Sequence, residues 1–217
     1  MYAFLSYQTK DKKAAGEVRE LLGEIGITCF LAHEDIQVSE EWRHKILEEI
    51  GKVDLFIALL SDNYSASAWC IQESGIAAFR EGVTIIPLSL DGAIPPGFIG
   101  HIQSTKVEPG AITLANLLPG LGKKDVSFVI DVVTKIIEKS GSYRGAEADF
   151  VLILPFIGKA SNDEIVRLLN VSASNGQVLH ASKVAREFLP PIMARHGHLL
   201  DADVREKIEG VLERYAP

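Results

Sequence analysis

The sequence has little cysteine, no surplus of positive charge and no long apolar run, and each shortage excludes a class of protein. Two cysteines, Cys29 and Cys70, cannot build a disulfide framework, which indicates reduced thiols in a cytoplasmic setting. The formal net charge of −7 argues against nucleic acid or an anionic membrane as a partner, because both bind basic surfaces. No apolar stretch approaches the length that spans a bilayer, and the start Met1–Leu5 lacks the basic lead-in of a signal peptide.

Common metal-binding and catalytic signatures are missing as well. The six histidines show no zinc spacing, since His196 and His198 are two residues apart with no cysteine beside them. Neither a G-x-S-x-G nucleophile elbow nor a G-x-G-x-x-G dinucleotide fingerprint occurs. The segment Gly120–Lys124 resembles a phosphate loop but lacks its first glycine and its final serine or threonine. We therefore expect neither a metal nor a bound cofactor.

Strand and helix patterns alternate through the first two thirds of the chain. Continuous apolar runs predict buried strands at Tyr2–Tyr7, Ile27–Leu31, Val53–Leu60 and Val83–Leu90, with a weak edge strand near Ser104–Val107. Helical spacing of apolar residues predicts helices at Asp11–Glu24 (capped by Asp11), Glu40–Gly51, Trp69–Glu81 and Asp125–Glu138. This alternation predicts an α/β fold, a flavodoxin-like five-stranded parallel sheet with helices on both faces.

The pattern changes after a small polar break at Lys139–Ser142. Capping and helical signals then dominate to the end of the chain, starting with the capping box at Ser161–Glu164. We expect one domain over residues 1–140 and a small, mostly helical module of unknown role over residues 141–217.

The most informative segment is Ser65–Glu73. It places a carboxylate four residues after a tryptophan, just beyond a serine-rich loop that follows an apolar strand. In a helix that starts near Trp69, the side chains of Trp69, Glu73 and Ala77 share one face. Ligands of parallel α/β sheets bind beyond the carboxyl ends of the strands, so this pair suits an aromatic nucleotide and its ribose.

Several short motifs, taken together, resemble a Toll/interleukin-1 receptor (TIR) domain, most closely the bacterial and plant members. The matching motifs lie in order at the expected spacings over roughly residues 1–139. They are Phe4–Tyr7 followed by Asp11, Asp35-Ile36 with Trp42, Leu59–Ser61 with Tyr64, Ser65 and Ser67, and Trp69–Glu73.

The resemblance implies an activity, because many TIR domains cleave the nicotinamide–ribose bond of NAD to nicotinamide and ADP-ribose or a cyclic isomer. In such enzymes a glutamate on the third helix is essential, and it matches Glu73. The aromatic residue one turn earlier matches Trp69, and the loop matching residues 33–41 gates the site and joins neighbouring copies. NAD would then be a substrate, the chain would associate with itself, and a downstream effector sensing the nucleotide product would fit antiphage or immune signalling.

The remaining substrate contacts are expected at strand ends. Ser6, Ser61 and Asp35 lie within plausible reach of ribose or phosphate groups, and Tyr7 and Phe30 would form the other side of the slot. The loop after the first strand lacks the arginine that several family members carry there.

Each of these residues also has a structural interpretation. Trp69 is able to anchor its helix to the sheet, Glu73 to be a solvated helix carboxylate, and Asp35 to cap a loop. Tyr7 and Phe30 fit the core, and Cys70 fits a small buried filler better than a nucleophile. The rival function is a TIR scaffold or effector without catalysis. A receiver domain shares the fold but needs an acidic cluster at the end of the first strand and an aspartate that ends the third. The first strand here ends Ser6-Tyr7 and the third ends Leu60-Ser61-Asp62, which disfavours this alternative.

Overall fold

The structure is a computed structural model that describes residues 1–31 and 42–215. It contains a single five-stranded sheet in the described part of the chain, with spatial order β2-β1-β3-β4-β5. The strands are β1 (Tyr2–Ser6), β2 (Thr28–Leu31), β3 (Leu55–Leu60), β4 (Thr84–Ser89) and β5 (Thr105–Lys106).

All four strand pairs are parallel, and β1 lies between β2 and β3. The register pairs Phe4 with Phe30 on one side and with Phe56 on the other. Every residue of β3 is buried, as the apolar run predicts for a central strand. The predicted flavodoxin-like fold class is therefore confirmed.

Five α-helices accompany the sheet in the described part of residues 1–124. Their bounds are α1 (Lys12–Glu24), α2 (Trp42–Lys52), α3 (Asp62–Ser65), α4 (Ala68–Phe79) and α5 (Leu114–Lys124). The predicted apolar face of α1 is buried through Ala14, Val18 and Leu22. On α2, Ile46 and Ile50 are buried while Trp42 and Leu47 are exposed, so only some of its large apolar residues contribute to the core.

Three aromatic rings lie in the core at the middle of the sheet. The rings of Phe4 and Phe56 stack with centroids 5.6 Å apart, and the Phe30 ring lies 5.4 Å from that of Phe4. These three side chains come from the three adjacent strands β1, β3 and β2, so the middle of the sheet is held by ring packing as well as by backbone hydrogen bonds.

The predicted cap of α1 is wrong in detail. Asp11 does occupy the N-cap position, but its side chain makes no capping hydrogen bond to the helix. Its carboxylate instead accepts a hydrogen bond from the Ser61 hydroxyl, with 2.6 Å between Oγ and Oδ2. A tertiary contact to a residue that follows β3 has replaced the local one.

The chain divides into two compact units, residues 1–124 and 125–217. The described part of the second unit is helical, with α6 (Val126–Glu138), α7 (Tyr143–Ile153), α8 (Asn162–Ser174), α9 (Gly176–Leu179), α10 (Leu189–His196) and α11 (Ala202–Tyr215). The predicted boundary lay at residue 140, whereas α6 packs on α7 and α8 and so belongs to the second unit. Within the described ranges, every helix is too short or too polar to cross a lipid bilayer.

Candidate active site

The candidate site lies where the carboxyl ends of β1 and β3 meet. In this strand order the chain connections run in opposite directions from β1 and β3, and ligands of such sheets bind beyond the carboxyl ends of the strands at that point. Ser6 is the last residue of β1, and Ser61 directly follows β3. The edge predicted from the strand ends is therefore the one that the topology opens.

Two serine caps build the helical segment that carries the site. Ser61 caps α3, its hydroxyl accepting a hydrogen bond from the Tyr64 N–H at 3.0 Å. Ser67 caps α4 in the same way, accepting from the Cys70 N–H at 3.4 Å. These caps satisfy donors at the start of each helix and fix the positions of Tyr64 and Glu73 relative to β1.

Glu73 points inward from α4 onto the end of β1. Its side chain is buried, with the residue only 4% exposed, and its Oε2 accepts a hydrogen bond from the Ser6 hydroxyl at 2.5 Å. Burial raises the pKa of Glu73 to about 7, while the Ser6 hydrogen bond acts to lower that pKa. Both the neutral acid and the carboxylate are therefore present near neutral pH.

A cluster of buried hydroxyls extends from Glu73 into α3 and α4. The Ser6 Oγ lies 3.0 Å from the Tyr64 hydroxyl, and that hydroxyl lies 2.7 Å from the Ser74 Oγ. Burial raises the pKa of Tyr64, so the phenol stays neutral. Tyr64 and Ser74 are contacts of the site that sequence patterns did not single out for this role.

Cys70 is a thiol in this environment. It is buried, and burial raises its pKa to about 11. A nucleophilic cysteine needs a lowered pKa, so the geometry favours the filler interpretation.

Two indole rings lie at the starts of α2 and α4. Trp69 is 44% exposed, and its ring meets that of Trp42 edge to face with centroids 6.3 Å apart. Trp69 therefore presents part of its surface to solvent one helical turn before the buried Glu73. The contact between Trp42 and Trp69 was not predicted from the sequence, which indicated only that each lies near the start of a helix.

The other predicted contacts are distributed differently. Tyr7 and Phe30 are buried in the core, and Ser61 is engaged with Asp11 and with the backbone of α3. Asp35 lies outside the described residues. The structure thus brings Ser6 and Glu73 together, while substrate contacts by Ser6, Tyr7, Phe30, Asp35 and Ser61 stay predictions.

Metal chemistry finds no obvious ligand set in the described ranges. Among residues 1–31 and 42–215, no three histidine, cysteine, aspartate or glutamate side chains group in a way that could hold a metal ion. The chemical groups of the site are thus one carboxyl, three hydroxyls and an aromatic pair.

Comparison with models of protein families gives a match. The family model described as "TIR domain" matches residues 3–115 of the chain, a range that contains β2 to β5, all of β1 except its first residue, and the candidate site. No curated protein matches the chain.

Proposed function

The chain belongs to the TIR domain family, and we propose that it cleaves the nicotinamide–ribose bond of NAD. The products would be nicotinamide and either ADP-ribose or a cyclic isomer of ADP-ribose. One observation supports the proposal: a buried carboxyl, Glu73, is hydrogen-bonded to Ser6 at the carboxyl end of β1, and burial raises its pKa to about 7. Structural carboxylates are normally exposed or paired with a cation, and perturbed ones cluster at functional sites.

The chemistry needs one carboxylate. When the C–N bond to nicotinamide breaks, its electron pair leaves on the neutral nicotinamide, and the ribose becomes oxocarbenium-like. An ionised Glu73 stabilises that positive charge, and the low polarity around it strengthens the attraction. Because nicotinamide leaves as a neutral molecule, no general acid is required.

The second step sets the product. Water adding to the ribose cation and losing a proton to solvent gives ADP-ribose. If water is kept away, a hydroxyl group or an adenine nitrogen of the same molecule attacks the ribose cation instead, and the product is a cyclic isomer of ADP-ribose. Among the described residues, the Ser6 hydroxyl donates a hydrogen bond to the Oε2 atom of Glu73. We therefore assign the other carboxylate oxygen, Oε1, to a ribose hydroxyl.

Self-association and a signalling role complete the proposal. We place the enzyme in the cytoplasm, where cysteines that form no disulfide stay reduced, and expect assembly to switch it on. The gating segment that the resemblance assigns to residues 33–41, with Asp35, lies outside the described residues. An effector that senses the nucleotide product would link the activity to antiphage or immune signalling.

The direct test is incubation of the full chain with NAD over a wide range of protein concentrations, followed by chromatography. We expect nicotinamide and an equal amount of ADP-ribose or its isomer, with specific activity rising as the protein is concentrated. Absence of nicotinamide at every concentration would favour the scaffold function. Activity that is unchanged on dilution would remove assembly from the mechanism.

Truncating the exposed indole should weaken substrate binding. Stacking of a base on an aromatic side chain contributes about 1–3 kcal/mol, so we expect Trp69→Ala to raise KM for NAD roughly 10-fold or more. Trp69→Phe should recover most of the loss because it keeps an aromatic face. Steady-state kinetics of nicotinamide release measure both.

The matched control is Phe79→Ala, because Phe79 lies on the same helix with 91% of its surface exposed. It should leave KM unchanged. An unchanged KM in Trp69→Ala would restrict Trp69 to a structural role.

A further inference from the structure

Four groups buried in the site form an unbroken line of hydrogen bonds. The line runs from the Glu73 carboxyl through the hydroxyls of Ser6, Tyr64 and Ser74 to the backbone carbonyl of Cys70. Its oxygen–oxygen distances are 2.5, 3.0, 2.7 and 2.9 Å in that order. All four side chains are buried, and they come from β1, α3 and α4.

With Glu73 ionised, the protons all point toward the carboxylate. Ser74 donates to Tyr64, Tyr64 donates to Ser6, and Ser6 donates to Glu73. Each hydroxyl has a single proton, and each is used once. Such a line of donors strengthens the final, charge-assisted bond to the carboxylate.

With Glu73 protonated, the same contacts are satisfied in the opposite direction. Glu73 donates to Ser6, Ser6 donates to Tyr64, and Tyr64 donates to Ser74. The Ser74 proton then points to the carbonyl oxygen of Cys70, which has a second lone pair beyond the one used by the helix. No buried donor is left unpaired in either direction, so neither state carries the cost of an orphaned hydroxyl.

We propose that Ser6, Tyr64 and Ser74 are positioning residues, whose reversible hydrogen-bond line holds the Glu73 carboxyl in one place with and without its proton. The inference rests on the proposed function, in which Glu73 acts as a carboxylate. It adds that the oxygen facing the ribose keeps its position while Glu73 exchanges a proton with solvent. Electrostatic stabilisation of a transition state depends on such fixed geometry.

No other charge competes with this line in the described structure. The titratable groups facing Glu73 are Tyr64 from α3 and Cys70 from α4 itself, and burial raises the pKa of both, so they stay neutral. β1 contributes the non-titrating Ser6. Within residues 1–31 and 42–215, burial and the Ser6 hydrogen bond are the two influences on the Glu73 pKa.

The test is a pH titration of the full chain, labelled with ¹³C at glutamate side chains. NMR monitors the resonance of the Glu73 carboxyl carbon. The Glu73 resonance is assigned by its loss in Glu73→Gln. Removing the first hydroxyl with Ser6→Ala should move the titration midpoint upward by about one pH unit or more, because a hydrogen bond to the charged form is lost. Ser6→Thr, which keeps a hydroxyl, should bring the midpoint back toward the wild-type value. Tyr64→Phe removes the second link without changing the ring, and should give a smaller upward shift.

The pH profile of nicotinamide release is the second readout. Its acid limb should move with the NMR midpoint in each variant, which a residue that only supports the fold would not cause. A Ser6→Ala midpoint equal to that of the wild type overturns the inference, as does a Ser6→Thr midpoint that stays at the alanine value. If Ser6→Ala does not fold, an unchanged midpoint in Tyr64→Phe overturns it instead.

The two proposals fail separately. The NMR titration needs no NAD, so shifted midpoints in a protein that never releases nicotinamide would retain the hydrogen-bond line and remove the NAD-cleaving function. Nicotinamide release with unmoved midpoints would do the reverse.

Discussion

Glu73→Gln should lower kcat for nicotinamide release by roughly 10²–10³-fold, the typical cost of losing one electrostatic contact to a transition state. Glutamine has nearly the same size, and its carbonyl oxygen is still able to accept the hydrogen bond from Ser6, so the fold and the shape of the pocket should persist. What is lost is the negative charge. KM should change little, because the charge matters mainly once the ribose becomes cationic.

The control for this variant is Glu81→Gln. Glu81 is exposed and lies two residues beyond the end of α4, so the substitution removes one negative charge from the same region without touching the site. Its kcat should equal that of the wild type. Nicotinamide release by Glu73→Gln at the wild-type rate would remove Glu73 from the mechanism and leave the family resemblance without its central residue.

The sheet was predictable from sequence because a buried parallel strand is a continuous apolar run with no alternation. Leu55–Leu60 is the clearest case, since every residue of that strand is buried. Parallel strands put their carboxyl ends at one edge, so the neighbourhood of Ser6 and Glu73 followed from the same pattern.

Two of the helices that the structure describes within residues 1–124 were not predicted, for different physical reasons. The four-residue α3 lies in a serine-rich stretch whose residues are also typical of loops, so its helical signal in the sequence is limited to the capping residue Ser61. Helix α5 contains Pro119 and two glycines, which normally argue against a helix. Gly120 is required by close packing, because a Cβ there would lie 2.6 Å from the side chain of Ile86 on β4.

The hydrogen bonds around the Ser6–Glu73 pair are tertiary and so were not predictable from local sequence patterns. Tyr64 reaches Ser6 across 58 positions of sequence, and Ser61 reaches Asp11 across 50. A serine or tyrosine at a helix start is equally typical of a cap, a core hydroxyl or a surface residue. The role of such a residue depends on which strand end packs against its helix. The spacing of residues within one helix does not contain that information.

Glu73→Gln should also stabilise the protein, and the gain should depend on pH. The pKa of Glu73 is raised from 4.5 to about 7 by burial. Between these values the unfolded chain has released the proton that the folded chain keeps, so this group makes the folded state less stable as pH rises. A rise of this size corresponds to about 3 kcal/mol at pH 8 and to almost nothing below pH 4.5. Glutamine never ionises, so the variant should gain about 3 kcal/mol over the wild type at pH 8 and be close to it at the acid end.

Urea unfolding, monitored by tryptophan fluorescence, measures this difference in stability for the structural unit that contains Glu73. The chain has two tryptophans, Trp42 and Trp69, and both lie within residues 1–124. The fluorescence transition therefore reports the unit that holds Glu73 and not the helical unit that follows it. The wild type and Glu73→Gln share every other titrating group, so the pH dependence of the difference in their unfolding free energies reports residue 73 alone. The control Glu81→Gln should differ from the wild type by an amount that does not depend on pH. An equal gain at pH 5 and pH 8, or a less stable variant at pH 8, would mean that Glu73 is not held as a buried acid. A gain confined to high pH would instead mean that ionised Glu73 lowers the stability of the folded protein by about 3 kcal/mol. The proposed reaction requires that same ionised carboxylate, so the site would show the expected conflict between stability and catalysis.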